Sequence, residues 1–312
     1  MNQTKSQFIR PKYLALAVAA LLWQSGAQAA ENIHVTYAGS MGVVMDKVLG
    51  PAFAQQNNVH FQGQGQGAYG MAHLLASKKI VADVFVSITP GPIQILEKAG
   101  LVDHAVPVAS TSMVIAYNPK GKYAAQFANA AQHPDQQAWW SVLEQPGVHF
   151  GRTDPKTDPQ GRNIIFTMQL AGLYYHQPDL MQKVLGSYQN PKQVFTEGGL
   201  LTRLEAGQID ASSGYEAAVR SAGLPFISLP DQMNLSNPDM SVQWYDKAGF
   251  SIKNAQGKTM AMHTQPLVYY AAILKNAPEP KEGAAFIKFM QSAKGQALMQ
   301  KSGYSAPKGG DI

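Results

Sequence analysis

The segment Ala82–Ala99, ADVFVSITPGPIQILEKA, decides the fold, because it carries the pattern of one strand–loop–helix unit. Its first five residues form an apolar run with a single charge, Asp83, which is typical of a parallel strand buried on both faces. The run ends at Ser87 and a Pro-Gly-Pro turn follows. The spacing of apolar residues over Ile93–Ala99 then predicts a helix. A strand that leads into a helix through a short loop is the building unit of an α/β fold.

Similar units recur on both sides of this segment. Ile33–Tyr37 alternates apolar and polar residues and is followed by Gly39-Ser40 and a helical pattern around Val43–Leu49. His60–Gln62 predicts a short strand, and the run Gly63–Gly67 predicts the loop after it. Further strands are predicted at Ser112–Tyr117, Phe250–Ile252 and Leu267–Ile273, and helices at Met71–Ser77, Ile164–His176, Leu180–Leu185 and Glu282–Lys301. These repeated units predict an α/β fold with mostly parallel sheets.

The first thirty residues have the pattern of a secretion signal. Lys5, Arg10 and Lys12 form a basic region, Tyr13–Trp23 is apolar, and Ala27-Gln28-Ala29 is an A-x-A cleavage pattern. The apolar run is too short to span a bilayer, and no longer one follows. We therefore expect cleavage after Ala29 and a mature protein in the periplasm.

Composition limits the classes of function. The chain has 25 basic and 20 acidic residues, and removal of the three leader bases leaves 22 against 20, a net charge of +2. This near-neutral balance without a basic stripe argues against nucleic-acid binding. Roughly 280 mature residues suffice for two domains, and the absence of cysteine excludes disulfides and a lipidated cysteine. The histidines show no metal-ligand spacing and no nucleophile motif occurs, so we expect neither an enzyme nor a cofactor.

Several glycine- or serine-bearing loops follow predicted strands. They contain Ser40, Gly67-Ala68, Ser87 and Tyr215-Glu216. Ligands of open α/β sheets lie beyond the carboxyl ends of the strands, so we expect these loops to meet at one cleft. Each also has a plainer interpretation: a serine caps a helix, a glycine run makes a flexible loop, and a glutamate in the first turn is stabilised by the helix dipole.

The segment Gly151–Asn163, GRTDPKTDPQGRN, precedes the predicted helix at Ile164. A loop before a helix N-terminus is suited to an anion, because the first N–H groups are unpaired and the dipole is positive there. Asp154 and Asp158 would repel that anion, although Asp-Pro pairs also serve simply to start turns. Arg152 and Arg162 either neutralise a ligand or pair with these aspartates on the surface.

Together, the leader, the α/β pattern and the strand-end loops resemble the periplasmic solute-binding proteins of membrane importers. More specifically, the chain resembles the tungstate/molybdate-binding family of the six-coordinate type, in order across almost the whole mature chain. The segments that carry the resemblance are Ala38–Met41, Ala82–Ser87, Met113–Tyr117, Gly151–Arg162 with its Asp158-Pro159-x-Gly161 core, Tyr215-Glu216 and Leu229–Pro238.

The resemblance implies a two-lobed fold of the type II periplasmic binding proteins. Each lobe would be a mixed, mostly parallel sheet flanked by helices, with the ligand cleft between the lobes. Residues 1–30 would be the signal peptide, 31–118 and 231–312 lobe I, and 119–230 lobe II. The protein would be a monomer that delivers a small oxyanion to an ABC permease in the inner membrane.

The resemblance also implies roles for individual residues. Asp158 and Glu216 match the carboxylates that bind the metal of the oxyanion and raise it from four to six ligands. Ser40 and Ser87 match the groups that hold the oxo atoms. We add five residues to the predicted ligand-binding set: Gly67, Ala68, Tyr215, Arg152 and Arg162.

The chain departs from the family pattern around this site. Arg162-Asn163 replaces an aromatic residue and a serine, Ala217-Ala218 replaces larger residues, and Gly63–Gly67 is unusually rich in glycine. Alternative ligands therefore stay open: sulfate, a phosphonate or an organic anion on the arginines, or a ferric ion on Asp154, Asp158, Glu216 and tyrosines. A secreted hydrolase that uses Asp158 and Glu216 as a carboxylate pair is a remote alternative.

Overall fold

The computed structural model describes residues 32–156, 158–195, 197–253 and 257–312, together with Met1. The predicted signal peptide and its cleavage site lie outside these residues. Within the described ranges, no helix combines the length and the apolar character needed to cross a membrane.

Two five-stranded sheets and one hairpin contain the strands of the described residues. The strands are β1 (Asn32–Ala38), β2 (His60–Gln66), β3 (Val84–Ser87), β4 (Val106–Ser110), β5 (Met113–Tyr117), β6 (Phe150–Thr153), β7 (Val194–Phe195), β8 (Ala211–Tyr215), β9 (Phe226–Ser228), β10 (Gly249–Lys253), β11 (Thr259–His263) and β12 (Val268–Ile273). The first sheet has the order β2-β1-β3-β12-β4 and the second β7-β6-β8-β5-β9, while β10 pairs with β11. Each sheet has as many antiparallel as parallel pairings, whereas the sequence predicts mostly parallel ones.

Helices cover both sheets. They are α1 (Gly42–Val44), α2 (Gly50–Asn57), α3 (Ala68–Ala76), α4 (Pro90–Lys98), α5 (Ala124–Gln132), α6 (Trp139–Leu143), α7 (Pro159–Tyr174), α8 (Leu180–Leu185), α9 (Glu197–Glu205), α10 (Glu216–Ser221), α11 (Pro280–Gln291) and α12 (Ala293–Lys301), with a π-helical turn at Met45–Leu49. In β3, Val84 and Val86 join one buried cluster and Phe85 joins another. The predicted burial of this strand on both faces is confirmed.

Asp83 anchors the first sheet from its interior. Its side chain is fully buried, and its two oxygens accept hydrogen bonds from His34 N at 2.7 Å and from Glu279 N at 2.6 Å. His34 belongs to β1, and Glu279 immediately precedes α11. One carboxylate at the start of β3 therefore joins its neighbouring strand to a helix packed on the sheet.

The glycine run Gly63–Gly67, predicted as a loop, mostly continues the edge strand β2. The ring of Tyr37 on β1 lies against this strand, and its hydroxyl donates a hydrogen bond to Asp46. A Cβ at Gly63 would lie 2.6 Å from the Tyr37 hydroxyl oxygen, and one at Gly65 would lie 2.7 Å from its ring. The loop prediction was wrong because a tertiary contact, rather than chain flexibility, requires these glycines.

Two helix boundaries also differ from the prediction. Helix α7 begins at Pro159 rather than Ile164, since proline lacks an N–H and suits the first helical position. The predicted helix Glu282–Lys301 is divided at Ser292 into α11 and α12. The Ser292 hydroxyl donates to Phe289 O at 2.7 Å and accepts from Gly295 N at 3.1 Å, so it caps the second helix.

The chain passes from the first sheet to the second at residues 111–112, which we call the interlobe crossing. Strand β4 ends before it, and β5 begins after it and pairs with β8 and β9. The lobe I predicted from the sequence, residues 31–118 and 231–312, includes β5, whereas β5 pairs with β8 and β9 in the second sheet. Near the crossing, Thr111 N donates to Leu267 O at 3.0 Å and Met113 N donates to Asn234 O at 2.8 Å. These bonds hold the segments that connect the lobes side by side.

Replacement of Asp83 should strongly destabilise the protein. Asp83→Ala leaves the N–H groups of His34 and Glu279 without their acceptor at a fully buried position, and we expect a loss of about 3 kcal/mol in the free energy of unfolding, measured in urea. Asp103→Ala is the matched control, because Asp103 pairs with Lys275 at the surface and its side chain is 73% exposed. The control should lose much less unfolding free energy than Asp83→Ala, and equal losses in the two variants would contradict the role of Asp83.

Candidate functional site

A cavity of about 560 Å³ lies between the two lobes. Lobe I contributes the start of α3 and Thr89, and lobe II contributes the start of α7. The hairpin β10–β11 supplies a third wall. The lining residues are Gly67, Ala68, Tyr69, Gly70, Thr89, Pro159, Arg162, Asn163, Phe166, Met260, Ala261, Met262, His263 and Gln265.

The wall from lobe I is a helix N-terminus. Gly67 is the N-cap of α3, and its carbonyl accepts the first helical hydrogen bond, from Met71 N at 3.0 Å. The N–H groups of the next three residues, 68–70, precede that bond and have no acceptor within the helix. The positive end of the helix dipole therefore lies at the cavity, together with the predicted ligand-binding residues Gly67 and Ala68.

The two predicted serines bond to other parts of lobe I and do not line the cavity. The Ser40 hydroxyl is 3.3 Å from the hydroxyl of Tyr269. Ser87 is fully buried, and its hydroxyl donates to Thr89 O at 2.8 Å and accepts from Thr89 N at 3.3 Å. Neither serine is among the cavity-lining residues, whereas Thr89 is. In this structure Ser87 orients the loop that brings Thr89 to the cavity.

Asp158 caps helix α7 beside the cavity. One of its carboxylate oxygens accepts a hydrogen bond from Gln160 N at 2.8 Å, which satisfies an unpaired group of the first turn. Burial raises the pKa of Asp158, although this hydrogen bond and the charge of Arg162 act in the opposite direction. A Cβ at Gly161 would lie 2.4 Å from Thr153 O, so only glycine lets the loop pack against the helix. The Asp-Pro-x-Gly motif is thus explained by a cap and a close approach.

Arg162 and Arg152 have different surroundings. Arg162 lines the cavity, and its guanidinium donates to Pro155 O at 2.8 Å and to Lys156 O at 3.2 Å. Its charge therefore lies at the cleft while it also holds the loop before α7.

Arg152 is fully buried and cannot reach a ligand in the cleft in this structure. Its guanidinium donates to the Gln193 side chain at 3.2 Å, Tyr188 O at 2.8 Å and Ser187 O at 2.7 Å. Burial lowers its pKa to about 10. These contacts give Arg152 a structural role in lobe II.

Glu216 follows β8 and begins α10. One carboxylate oxygen accepts from the Ser112 hydroxyl at 2.7 Å, and the other pairs with Arg220 Nε at 2.7 Å. The preceding residue, Tyr215, is buried, and its hydroxyl accepts from the Asn163 side chain at 3.0 Å. This bond joins the end of β8 to the N-terminal part of α7, so it links the segments that carry Glu216 and Asp158.

The hairpin β10–β11 lines the cavity, although the sequence did not predict it as part of the site. Its first residue, Gly249, exchanges two hydrogen bonds of 3.1 Å with the Gln169 side chain of α7. On the opposite side of the cleft, the Tyr69 hydroxyl donates to the Gln265 side chain at 3.3 Å. The alternation around Phe250 predicted one strand, but no local signal indicated its partner or its position over the cleft.

The structure brings some predicted residues together and separates others. Gly67, Ala68 and Arg162 line the cavity, and Asp158 adjoins it through Pro159. Ser40, Ser87, Tyr215 and Glu216 lie at strand ends outside the lining set, and Arg152 lies in the interior of lobe II. Among the described side chains, no group of three histidines or acids is placed to hold a metal ion by itself.

The raised pKa of Asp158 should produce a pH-dependent stability. The folded state binds a proton at Asp158 more tightly than the unfolded state does, so the contribution of this group is fully present at low pH. It is lost as the pH rises from the ordinary value of 3.8 through the raised folded-state pKa. Asp158→Asn removes the titration but keeps an oxygen that can cap α7.

We therefore expect the unfolding free energy of the wild type, relative to Asp158→Asn, to decrease as the pH rises through 3.8 and beyond it. Urea unfolding at a series of pH values measures this difference. Asp103→Asn controls for the change in net charge, and a difference that does not vary with pH would contradict the prediction.

Comparison with known proteins agrees with this architecture. A family model described as bacterial extracellular solute-binding protein matches residues 33–305. The molybdate/tungstate-binding protein WtpA of Pyrococcus abyssi is 27% identical over an alignment of 304 residues, covering 89% of this chain and 85% of that protein.

Two solved structures share the fold. The substrate binding domain of a putative molybdenum ABC transporter from Clostridium difficile has a TM-score of 0.60 at 13% identity, covering 89% of this chain and 99% of that one. The periplasmic molybdate-binding protein of Azotobacter vinelandii has a TM-score of 0.57 at 16% identity, covering 88% and 100%. The predicted two-lobed fold of type II periplasmic binding proteins is confirmed, and the chain belongs to the bacterial extracellular solute-binding protein family.

Proposed function

We propose that this protein is the substrate-binding component of an ABC importer and that it binds a molybdate- or tungstate-type oxyanion in the interlobe cleft. The observation that carries the proposal is the cavity at which the positive end of α3 faces the start of α7, with Arg162 and Asp158. The relatives named for molybdate and tungstate support the same ligand class. The protein would act as a monomer in the periplasm and pass its cargo to a permease.

Lobe I supplies the groups suited to oxo atoms. The N–H groups of residues 68–70 point out of the first turn of α3, where both the unpaired donors and the helix dipole favour negative charge. Thr89 adds a hydroxyl at the same wall. Arg162 supplies a permanent positive charge from the facing lobe, so an oxyanion would be held from both sides.

Lobe II supplies the two carboxylates. A carboxylate repels sulfate, whose sulfur accepts no further ligands, but it can donate to the large, electron-poor metal of molybdate or tungstate. Asp158 and Glu216 would therefore be metal ligands that exclude sulfate by charge. Glu216 lies outside the cavity lining in this structure, so its contact with the metal would require closure of the lobes.

The proposal predicts opposite effects on two classes of anion. Asp158→Asn and Glu216→Gln should each lower the affinity for tungstate at least about tenfold, because each removes an anionic donor. Any binding of sulfate should be unchanged or stronger, because the same changes remove a repelling charge. Isothermal titration with tungstate, molybdate and sulfate measures these affinities.

Asp154→Asn is the control for this experiment. Asp154 lies on the same loop, and its carboxylate accepts from Lys156 N at 2.9 Å, but it does not cap α7. The control should bind tungstate like the wild type. Wild-type protein that binds none of these oxyanions, or that prefers sulfate, would refute the proposed function.

A further inference from the structure

Two bonds hold the Glu216 carboxylate, one from Ser112 at the interlobe crossing and one from Arg220 in α10. We propose that Arg220 and Ser112 are positioning residues, which fix Glu216 at the interlobe crossing so that its carboxylate is ready to bind the metal of the cargo. This inference rests on the proposed function, because it assigns a partner to one of the proposed metal ligands.

The start of α10 is tied to the interlobe crossing by backbone as well as side chain. Glu216 N donates to Ser112 O at 2.9 Å, and Ala217 N donates to the Thr111 hydroxyl at 3.2 Å. With the bond from the Ser112 hydroxyl, three hydrogen bonds join two residues of α10 to the two residues of the crossing. The position of Glu216 is therefore set where the lobes connect, and lobe movement at the crossing also moves Glu216.

Arg220 is held in place although its side chain is 53% exposed. Its guanidinium lies over the ring of Phe226, 4.7 Å from the ring centre, while its Nε bonds to Glu216. The next residue, Ser221, donates to Ser302 O at 3.1 Å, which anchors the end of α10 on lobe I. An exposed ion pair of this kind contributes little to stability, so its main effect is on the geometry of the carboxylate.

The geometry leaves Glu216 able to coordinate a metal. A carboxylate oxygen has two lone pairs, and each oxygen of Glu216 uses one for a hydrogen bond to Ser112 or Arg220. A second lone pair on each oxygen stays open to the metal. The two bonds also restrict the rotamers of a long side chain before the ligand arrives.

Titration of tungstate into Arg220 variants tests the inference. Arg220→Ala should lower the affinity about tenfold, and Arg220→Lys should recover part of the loss because the ammonium keeps the charge but lacks the fixed Nε geometry. Ser112→Ala should also lower the affinity. Arg203→Ala is the matched control: Arg203 lies 5.1 Å from the Phe195 ring centre and bonds to Gln208, and no carboxylate among the described side chains pairs with it. It should change the affinity less than about twofold.

A double-mutant cycle with Glu216→Gln separates positioning from a general effect. If Arg220 acts through Glu216, Arg220→Ala has little further effect on tungstate affinity once Glu216 is replaced. Full additivity, or a higher affinity in Arg220→Ala, would overturn the inference. If Glu216→Gln alone leaves tungstate binding unchanged, the proposed role of Glu216 fails first. A loss with Glu216→Gln but none with Arg220→Ala overturns only the positioning role.

Discussion

Carboxylates held by hydrogen bonds beside helix starts organise this structure. Asp83 accepts from Glu279 N just before α11, Asp158 accepts from Gln160 N in α7, and Glu216 opens α10. Burial of a carboxylate is costly unless hydrogen bonds replace its water, and the positive end of a helix provides donors and a favourable field. Asp83 thereby joins strands to a helix in lobe I, while hydrogen bonds fix the other two acids in lobe II.

This arrangement divides the chemistry of the cleft between the lobes. The unpaired N–H groups of α3 belong to lobe I, whereas Asp158 and Glu216 belong to lobe II. Under the proposed function, an oxyanion of a metal is the kind of ligand that satisfies both walls, because its oxo atoms accept hydrogen bonds and its centre accepts carboxylate oxygen. The hairpin over the cleft bonds to Gln169 of α7 in lobe II. Just after the hairpin, Gln265 accepts a hydrogen bond from Tyr69 of α3 in lobe I, so this segment contacts both walls of the cleft.

Much of the fold could be predicted from the sequence, because local patterns dominate where strands are buried. The apolar run that contains Val84–Val86 predicted a central strand, and the structure confirms it. The prediction failed where distant contacts decide. Gly63 and Gly65 suggested a loop, but they make room for Tyr37 within a strand. Arg152 had the residue type of an anion ligand, yet three acceptors from a distant loop enclose it.

The pair Arg162-Asn163, at which the chain departs from the tungstate/molybdate pattern, also connects the two candidate metal-binding carboxylates. Arg162 holds the loop before α7 through the carbonyls of Pro155 and Lys156, and so restrains the segment that ends in Asp158. Asn163 donates to the hydroxyl of Tyr215, the residue before Glu216. The substituted pair therefore fixes the Asp158 segment and links it to the Glu216 segment. The change to Arg162-Asn163 alters the residues at the cavity wall but keeps the Asp158 and Glu216 segments linked. It is therefore compatible with a metal-centred oxyanion as the ligand under the proposed function.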